Sequence, residues 1–151
     1  METENKHQAI ARGLDLVISP KDSIEICNCI RRKSTVKAKK ILLDSINKIK
    51  PIPFLRFNKD RGHKHGRLYS GAYPYNAAKA ILKLIEAAEK NAQNQGLNPE
   101  SLFIKSIIPN KAAEPARYGR QRSREAKRTH IYITVEEKEP KHEKKKGEAK
   151  K

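Results

Sequence analysis

Residues 102–135 read LFIKSIIPNKAAEPARYGRQRSREAKRTHIYITV, and the fold turns on how this stretch is read. Leu102 to Ile108 is apolar and β-branched enough to form one strand, and Thr129 to Val135 another. Between them, Pro109 to Arg128 carries Lys111, Arg117, Arg120, Arg122, Arg124, Lys127 and Arg128, with Glu114 and Glu125 as the only acids. It holds almost nothing to bury. Two strands that pair while joined by so long a basic arm form a hairpin whose tip leaves the globule. A connection of this length with no structure of its own is functional or disordered as a rule. One this cationic becomes ordered when polyanion surrounds it.

The bulk composition agrees. At 151 residues the chain is one small domain with extensions, large enough for a single modest core. Lys and Arg total 34 against 17 Asp and Glu, a formal charge of +17. A free globule so charged repels itself, which calls for a polyanionic partner. Aromatics are 5% of residues and Trp is absent, which argues against a single-strand binder built on stacking platforms. No apolar run reaches the roughly 18 residues of a membrane span. Met1 to His7 is polar and includes Glu2 and Glu4, unlike a signal or transit peptide. A soluble intracellular protein is expected.

Outside the arm, the periodicities predict a compact layout. Leu14, Leu16 and Ile18 alternate with Asp15 and Val17, as in a short strand. Ser19 then caps a helix opened by Pro20, with Asp22 in its first turn. That helix runs to about Ile30 with Ile24, Cys27 and Ile30 on one side. Arg31, Arg32 and Lys33 follow, and Ser34 caps a second helix with the stripe Ala38, Ile41, Leu42, Ile46 and Ile49, stopped by Pro51. Pro51 to Tyr73 is a second long basic loop, carrying Arg56, Lys59, Arg61, His63, Lys64, His65 and Arg67, with Phe54, Leu55 and Phe57 as candidate anchors. Pro74 opens a third helix with Ala77, Ile81, Leu84, Ile85, Ala88 and Ala92 inward, closed by Gly96. In the last strand Ile131, Ile133 and Val135 face in, and His130, Tyr132 and Thr134 out. The expected class is α+β: three helices on one face of a small, mostly antiparallel three-stranded sheet, with a long protruding β-hairpin. The expected divisions are a flexible N-terminus 1–10, a globular domain 11–137 with loop 51–73 and hairpin 105–130, and a disordered basic tail 138–151.

Chemistry for catalysis is scarce. Cys27 and Cys29 lie two apart on a helix, where side chains do not face each other, and zinc pairs are spaced more widely. Buried, reduced thiols fit them better than a metal site with His63 and His65. His63, His65 and His130 could serve a nuclease as acid and base, yet no nucleophile motif or phosphate-cradling glycine loop accompanies them. No cofactor motif appears. The lysines on the third helix read as a solvated face. The arginines differ, because Arg31, Arg32, Arg56, Arg61, Arg67, Arg117, Arg120, Arg122 and Arg124 cluster where hydrophobic support is missing. Guanidinium forks grip phosphates and stack on bases. No recognition helix or finger spacing for DNA is present, and two irregular cationic loops suit folded RNA.

These segments carry a resemblance. Lys50-Pro51-Ile52-Pro53-Phe54-Leu55-Arg56-Phe57-Asn58, Arg61-Gly62-His63-Lys64-His65-Gly66 and Gly71-Ala72-Tyr73-Pro74-Tyr75-Asn76-Ala77-Ala78-Lys79 are similar to the large ribosomal subunit protein L-twenty-two family (uL-twenty-two), in its archaeal and eukaryotic form. So are Glu89-Lys90-Asn91-Ala92, Gly96-Leu97, Tyr118-Gly119-Arg120 and Arg128-Thr129-His130-Ile131. The eukaryotic counterpart is called L-seventeen. The resemblance runs from about Ala11 to Glu137. It implies a structural, non-catalytic component of the cytoplasmic large subunit. Its partners would be large-subunit rRNA, neighbouring ribosomal proteins and the nascent polypeptide, with no membrane and no cofactor. The hairpin would thread rRNA and line the peptide exit tunnel with Arg117, Tyr118, Gly119, Arg120 and Gln121 at its tip, Gly119 tolerating a positive φ. Two departures stand out: Pro115-Ala116-Arg117 where relatives show Pro-Arg-Ala, and a shorter ascending arm. Outside this family, a free-standing RNA-binding protein, a nuclease or a chromatin-type DNA packager remain the competing readings.

Overall fold

The computed structural model describes residues 7–65 and 69–137. The anticipated tail 138–151, Met1 to Lys6, and Arg67 of the basic loop lie outside the described residues. In chain order the elements are β1 (Gln8–Leu16), α1 (Pro20–Ile30), α2 (Thr35–Ile46), β2 (Ile52–Pro53), β3 (Gly71–Ala72), α3 (Tyr75–Asn94), β4 (Leu102–Lys111) and β5 (Thr129–Glu137). The main sheet has the order β1-β5-β4, antiparallel throughout. Ile131, Ile133 and Val135 of the central strand are fully buried, beneath α3. On the other face, Ile10 is 49% and Ile108 50% exposed, so only one side of the sheet carries helices. The expected α+β arrangement of three helices on a three-stranded sheet is found.

The helices end where local chemistry stops them. Ser19 Oγ accepts the Asp22 amide at 3.5 Å and Ser34 Oγ that of Lys37 at 3.4 Å, capping α1 and α2 as anticipated. Within α1 the buried face is Ser23, Glu25, Ile26, Cys27 and Ile30. Ile26 therefore takes the core position expected of Ile24, which is only half-buried. The second helix finishes at Ile46, before Pro51 can act. Lys48 turns into the left-handed region at φ +58, and Ile49, anticipated in the stripe, is left 65% exposed. At the end of α3, Gly96 adopts φ +79 and Leu97 N–H reaches back 3.0 Å to Ala92 O, burying Leu97.

The first strand departs most from expectation. It starts at Gln8, inside the segment expected to be flexible, and its inward residues are Ala9, Ala11 and Gly13. Of Leu14, Leu16 and Ile18, expected to share one side of a strand, Leu14 is 60% exposed and Leu16 half-buried, while Val17, expected on the alternate side, is 74% exposed. The pairing with β5 slips between Gly13 and Leu16, where Asp15 takes φ +50, a bulge that rotates the alternation. Ile18 is buried beyond it.

Two further pairings position the basic segments. The outer edge of β4 is covered by the chain between α1 and α2. There Arg32 N–H donates to Ile104 O at 3.1 Å, and Ile104 N–H donates to Lys33 O at 2.9 Å, which leaves this part of the edge no free template. The long loop is pinched at its base by β2 and β3, joined through Ile52↔Ala72 and Pro53↔Gly71. Ser70 Oγ adds a 2.7 Å bond to Phe54 O.

Candidate nucleic-acid interface

The loop after β2 is shaped by an acid from α1. Glu25 is 1% exposed. Its Oε1 accepts the Arg56 and Phe57 amides, both at 2.7 Å, and its Oε2 accepts Leu55 N–H at 3.2 Å. Three consecutive orphan amides thus find acceptors on one carboxylate, and the chain is held in a tight arc. Phe54 anchors the arc in the core at 1% exposure. Leu55, anticipated as a second anchor, points away at 77% exposure, and Phe57 is half-buried. The arc needs its alternate residues turned outward, which explains why one of two adjacent apolar side chains is lost to solvent.

Around this arc the cations are organised. Arg61 Nη2 donates to Asp22 Oδ1 at 2.9 Å while its guanidinium stacks 4.4 Å over Phe54. Arg56 and Lys21 lie 5.3 Å and 5.8 Å from the centre of the Phe57 ring, within cation–π range. Together with Lys59 and Asp60 they line a cleft of about 500 Å³. Further along, Lys64 sits 5.7 Å from the Tyr73 ring, and His63 meets Tyr69 edge-on at 4.7 Å. His65 is exposed. Sequence reasoning missed Glu25 and Lys21. A lone acid and a lone lysine on a helix carry no periodic signal, and only the return of the loop onto α1 gives them a role.

The Arg31–Lys33 cluster lies along β4, the strand that leads into the arm. Arg31 Nη2 donates to Ile107 O at 3.3 Å, and Arg32 adopts φ +61. In the arm, pairing of β4 with β5 reaches Lys111↔Thr129. Pro109 to Lys111 are therefore part of the sheet, although proline and polar residues suggested a loop. Backbone bonds continue beyond the sheet: Ala112 N–H to Arg128 O at 3.1 Å, Ala126 N–H to Pro115 O at 2.9 Å, and Arg117 N–H to Arg124 O at 2.9 Å. Gly119 to Gln121 form one turn of 3-10 helix, with Gly119 at φ +66. Every residue from Pro115 to Glu125 is exposed, and Tyr118 is 95% so. Arg117, Arg120, Arg122 and Arg124 thus stand in solvent, as does Lys127, while Arg128 is half-buried at the base. Lys111 is paired with Glu114 at 2.7 Å, and the hydrogen bond and charge of that acid raise its pKa.

His130 and the two cysteines have structural places. His130 Nδ1 accepts the Asp15 amide at 3.0 Å and braces the bulge. Cys27 is buried, which pushes its thiol up to about 12, and burial also raises the half-buried Cys29. Among the described residues no group of three or more His, Cys, Asp or Glu side chains is placed to hold a metal ion. No described helix is long and apolar enough to cross a membrane.

A small α+β domain that carries its cations on irregular segments, braced by Asp22, Glu25 and Glu114, defines a class of basic scaffold. Comparison with known proteins narrows the class. The family model described as Ribosomal protein L22p/L17e matches residues 11–136, and the chain belongs to that family. Similar curated proteins are named large ribosomal subunit protein uL22. That of Methanoculleus marisnigri is 38% identical over 141 residues, covering 89% of this chain and 92% of the relative. That of Methanosphaera stadtmanae is 40% identical over 136 residues, with 85% and 88% covered. That of Methanocaldococcus jannaschii is also 40% identical over 136 residues, with 85% and 87% covered. Proteins of this family are structural parts of the cytoplasmic ribosome and not enzymes.

Proposed function

We propose that this chain is a structural constituent of the large ribosomal subunit that binds large-subunit rRNA through two irregular basic segments and assists its assembly. The first segment is the loop 51–73, with Arg56, Lys59, Arg61, His63, Lys64, His65 and Arg67, flanked by Arg31, Arg32 and Lys33. The second is the hairpin 105–130, with Lys111, Arg117, Arg120, Arg122, Arg124, Lys127 and Arg128. The hairpin projects from the globular domain 11–137 and threads rRNA. Its tip, Arg117 to Gln121, lines the exit tunnel beside the nascent chain. Neighbouring large-subunit proteins contact the globular face.

One observation carries the reading: an unbroken run from Pro115 to Glu125 is exposed, includes four arginines, and extends a ladder rooted in the core. An extension with no apolar side to bury gains its order from phosphate neutralisation. A density map of ribosomes from the source cells tests it. Density for residues 105–130 between rRNA helices, ending at the tunnel wall, is the expected result. A ribosome whose corresponding site holds a different protein would overturn it.

A further inference from the structure

We propose that Lys21, Arg56, Phe57, Lys59 and Arg61 form a preshaped pocket for one unpaired ribonucleotide, with Glu25 as its positioning residue. The inference deepens the rRNA-binding reading and rests on it.

The cleft of about 500 Å³ is lined by those five residues and Asp60, a size within the range of small-ligand sites. With Arg61 already paired to Asp22, Lys21, Arg56 and Lys59 against Asp60 still favour an anion. A phosphate alone would need no aromatic ring, yet Phe57 is part of the lining, with Arg56 and Lys21 within 6 Å of its ring centre. A ring flanked by cations matches the two ends of a nucleotide: the base stacks, and the phosphates on either side are gripped. A duplex offers its phosphates but keeps its base faces covered, so the pocket selects an unstacked residue in a loop or bulge. The single ring sets it apart from a tract-binding platform, consistent with the low aromatic content.

The site is built before any ligand arrives. Glu25 holds the amides of Leu55, Arg56 and Phe57. Asp22 and the Phe54 ring hold Arg61. Ordering the backbone of the arc and the Arg61 side chain in advance removes an entropy cost from binding. Glu25 touches no ligand in this scheme; it acts by fixing the arc that carries Arg56 and Phe57.

Because the chain has no Trp, Phe57→Trp places a single indole in the pocket while keeping an aromatic ring. The test measures its emission in the full chain as a single-stranded pentaribonucleotide is added, and again with an abasic oligomer of the same length. Saturable quenching by the first, with binding of the second roughly tenfold weaker, is the expected result. In parallel, base-specific chemical probing of large-subunit rRNA should show one unpaired nucleotide protected by the unaltered chain. Phe57→Ala and Glu25→Ala should lose that protection while retaining most of the overall rRNA affinity. Unchanged protection in both variants, or unquenched emission when rRNA is bound, would overturn the pocket and leave the rRNA-binding reading standing. Failure of the unaltered chain to bind large-subunit rRNA would remove both.

Discussion

Gly13 lies so close under Leu84 that a β-carbon at residue 13 would fall 2.7 Å from Leu84 Cδ1, and 2.9 Å from Leu16 Cδ1. This contact lets α3 settle onto β1, whose other inward residues are Ala9 and Ala11. Gly13→Ala forces both leucines to swing. The expected loss of about 1 kcal/mol, the low end of overpacking costs, can be read from chemical denaturation. Leu84→Ala in the same background should relieve the clash, so the two changes will not be additive.

Glu25→Ala would leave three amides of the loop without acceptors. At about 1 kcal/mol each, the expected destabilisation is about 3 kcal/mol. Glu25→Gln should cost less, because one oxygen can still serve Arg56 and Phe57 while the amide nitrogen faces the Leu55 N–H. Hydrogen exchange at those three amides, faster in both variants and fastest in Ala, is the direct check.

How much of this was legible beforehand depended on residue size and range. The helices on 20–30 and 75–94 announced themselves through caps and stripes, as did the alternation of β5. The first strand did not. Its inward face is Ala9, Ala11 and Gly13, too small to give a period-two apolar signal, while the conspicuous Leu14 faces solvent within the bulge. The basic residues of the loop and arm could be picked out by composition. What composition could not supply was which of them are bound within the protein: Arg61 by Asp22, Arg31 by the Ile107 carbonyl, and Lys111 by Glu114. Glu25 was invisible for the same reason, since its three partners lie thirty residues away in the chain.

Cys27 makes stability sensitive to alkali. Its folded pKa, pushed to about 12 by burial, lies above the ordinary thiol value of 9.0. A group raised in this way contributes fully below pH 9 and loses its contribution as pH climbs toward 12. Melting temperature should therefore fall across that window more steeply in the natural chain than in Cys27→Ala compared with its own value at pH 8. Alkylation at pH 8 should modify Cys29 before Cys27, though more slowly than a free thiol, because burial raises Cys29 as well.

Glu114 holds the Lys111 ammonium at 2.7 Å, which under the proposed rRNA-binding reading sets it in competition with phosphate. Glu114→Gln removes the hydrogen bond and charge that raise the lysine's pKa, so that pKa should drop back while the side chain stays charged at neutral pH. The freed ammonium is then available to RNA. Tighter binding of large-subunit rRNA at low salt, with a correspondingly steeper salt dependence, is the expected outcome.

Arg120, Arg122 and Arg124 are exposed and form no ion pair among the described residues. If each meets a phosphate, replacing all three by Ala should flatten the log–log salt slope of rRNA binding by about 2 to 3. Melting temperature should be nearly unchanged, since none of the three supports the core.

The central strand of the sheet is also the last to be synthesised. Gln8 pairs with Glu136 and Leu102 with Glu137, so β1 and β4 touch only through a partner made after both. Contacts this distant in sequence slow folding. A growing chain that has not yet reached Thr129 leaves Ala9, Ile104 and Ile107 without the strand that covers them. Commitment to the native sheet must therefore follow synthesis of β5, and until then this cationic chain has unpaired edges at both of its outer strands.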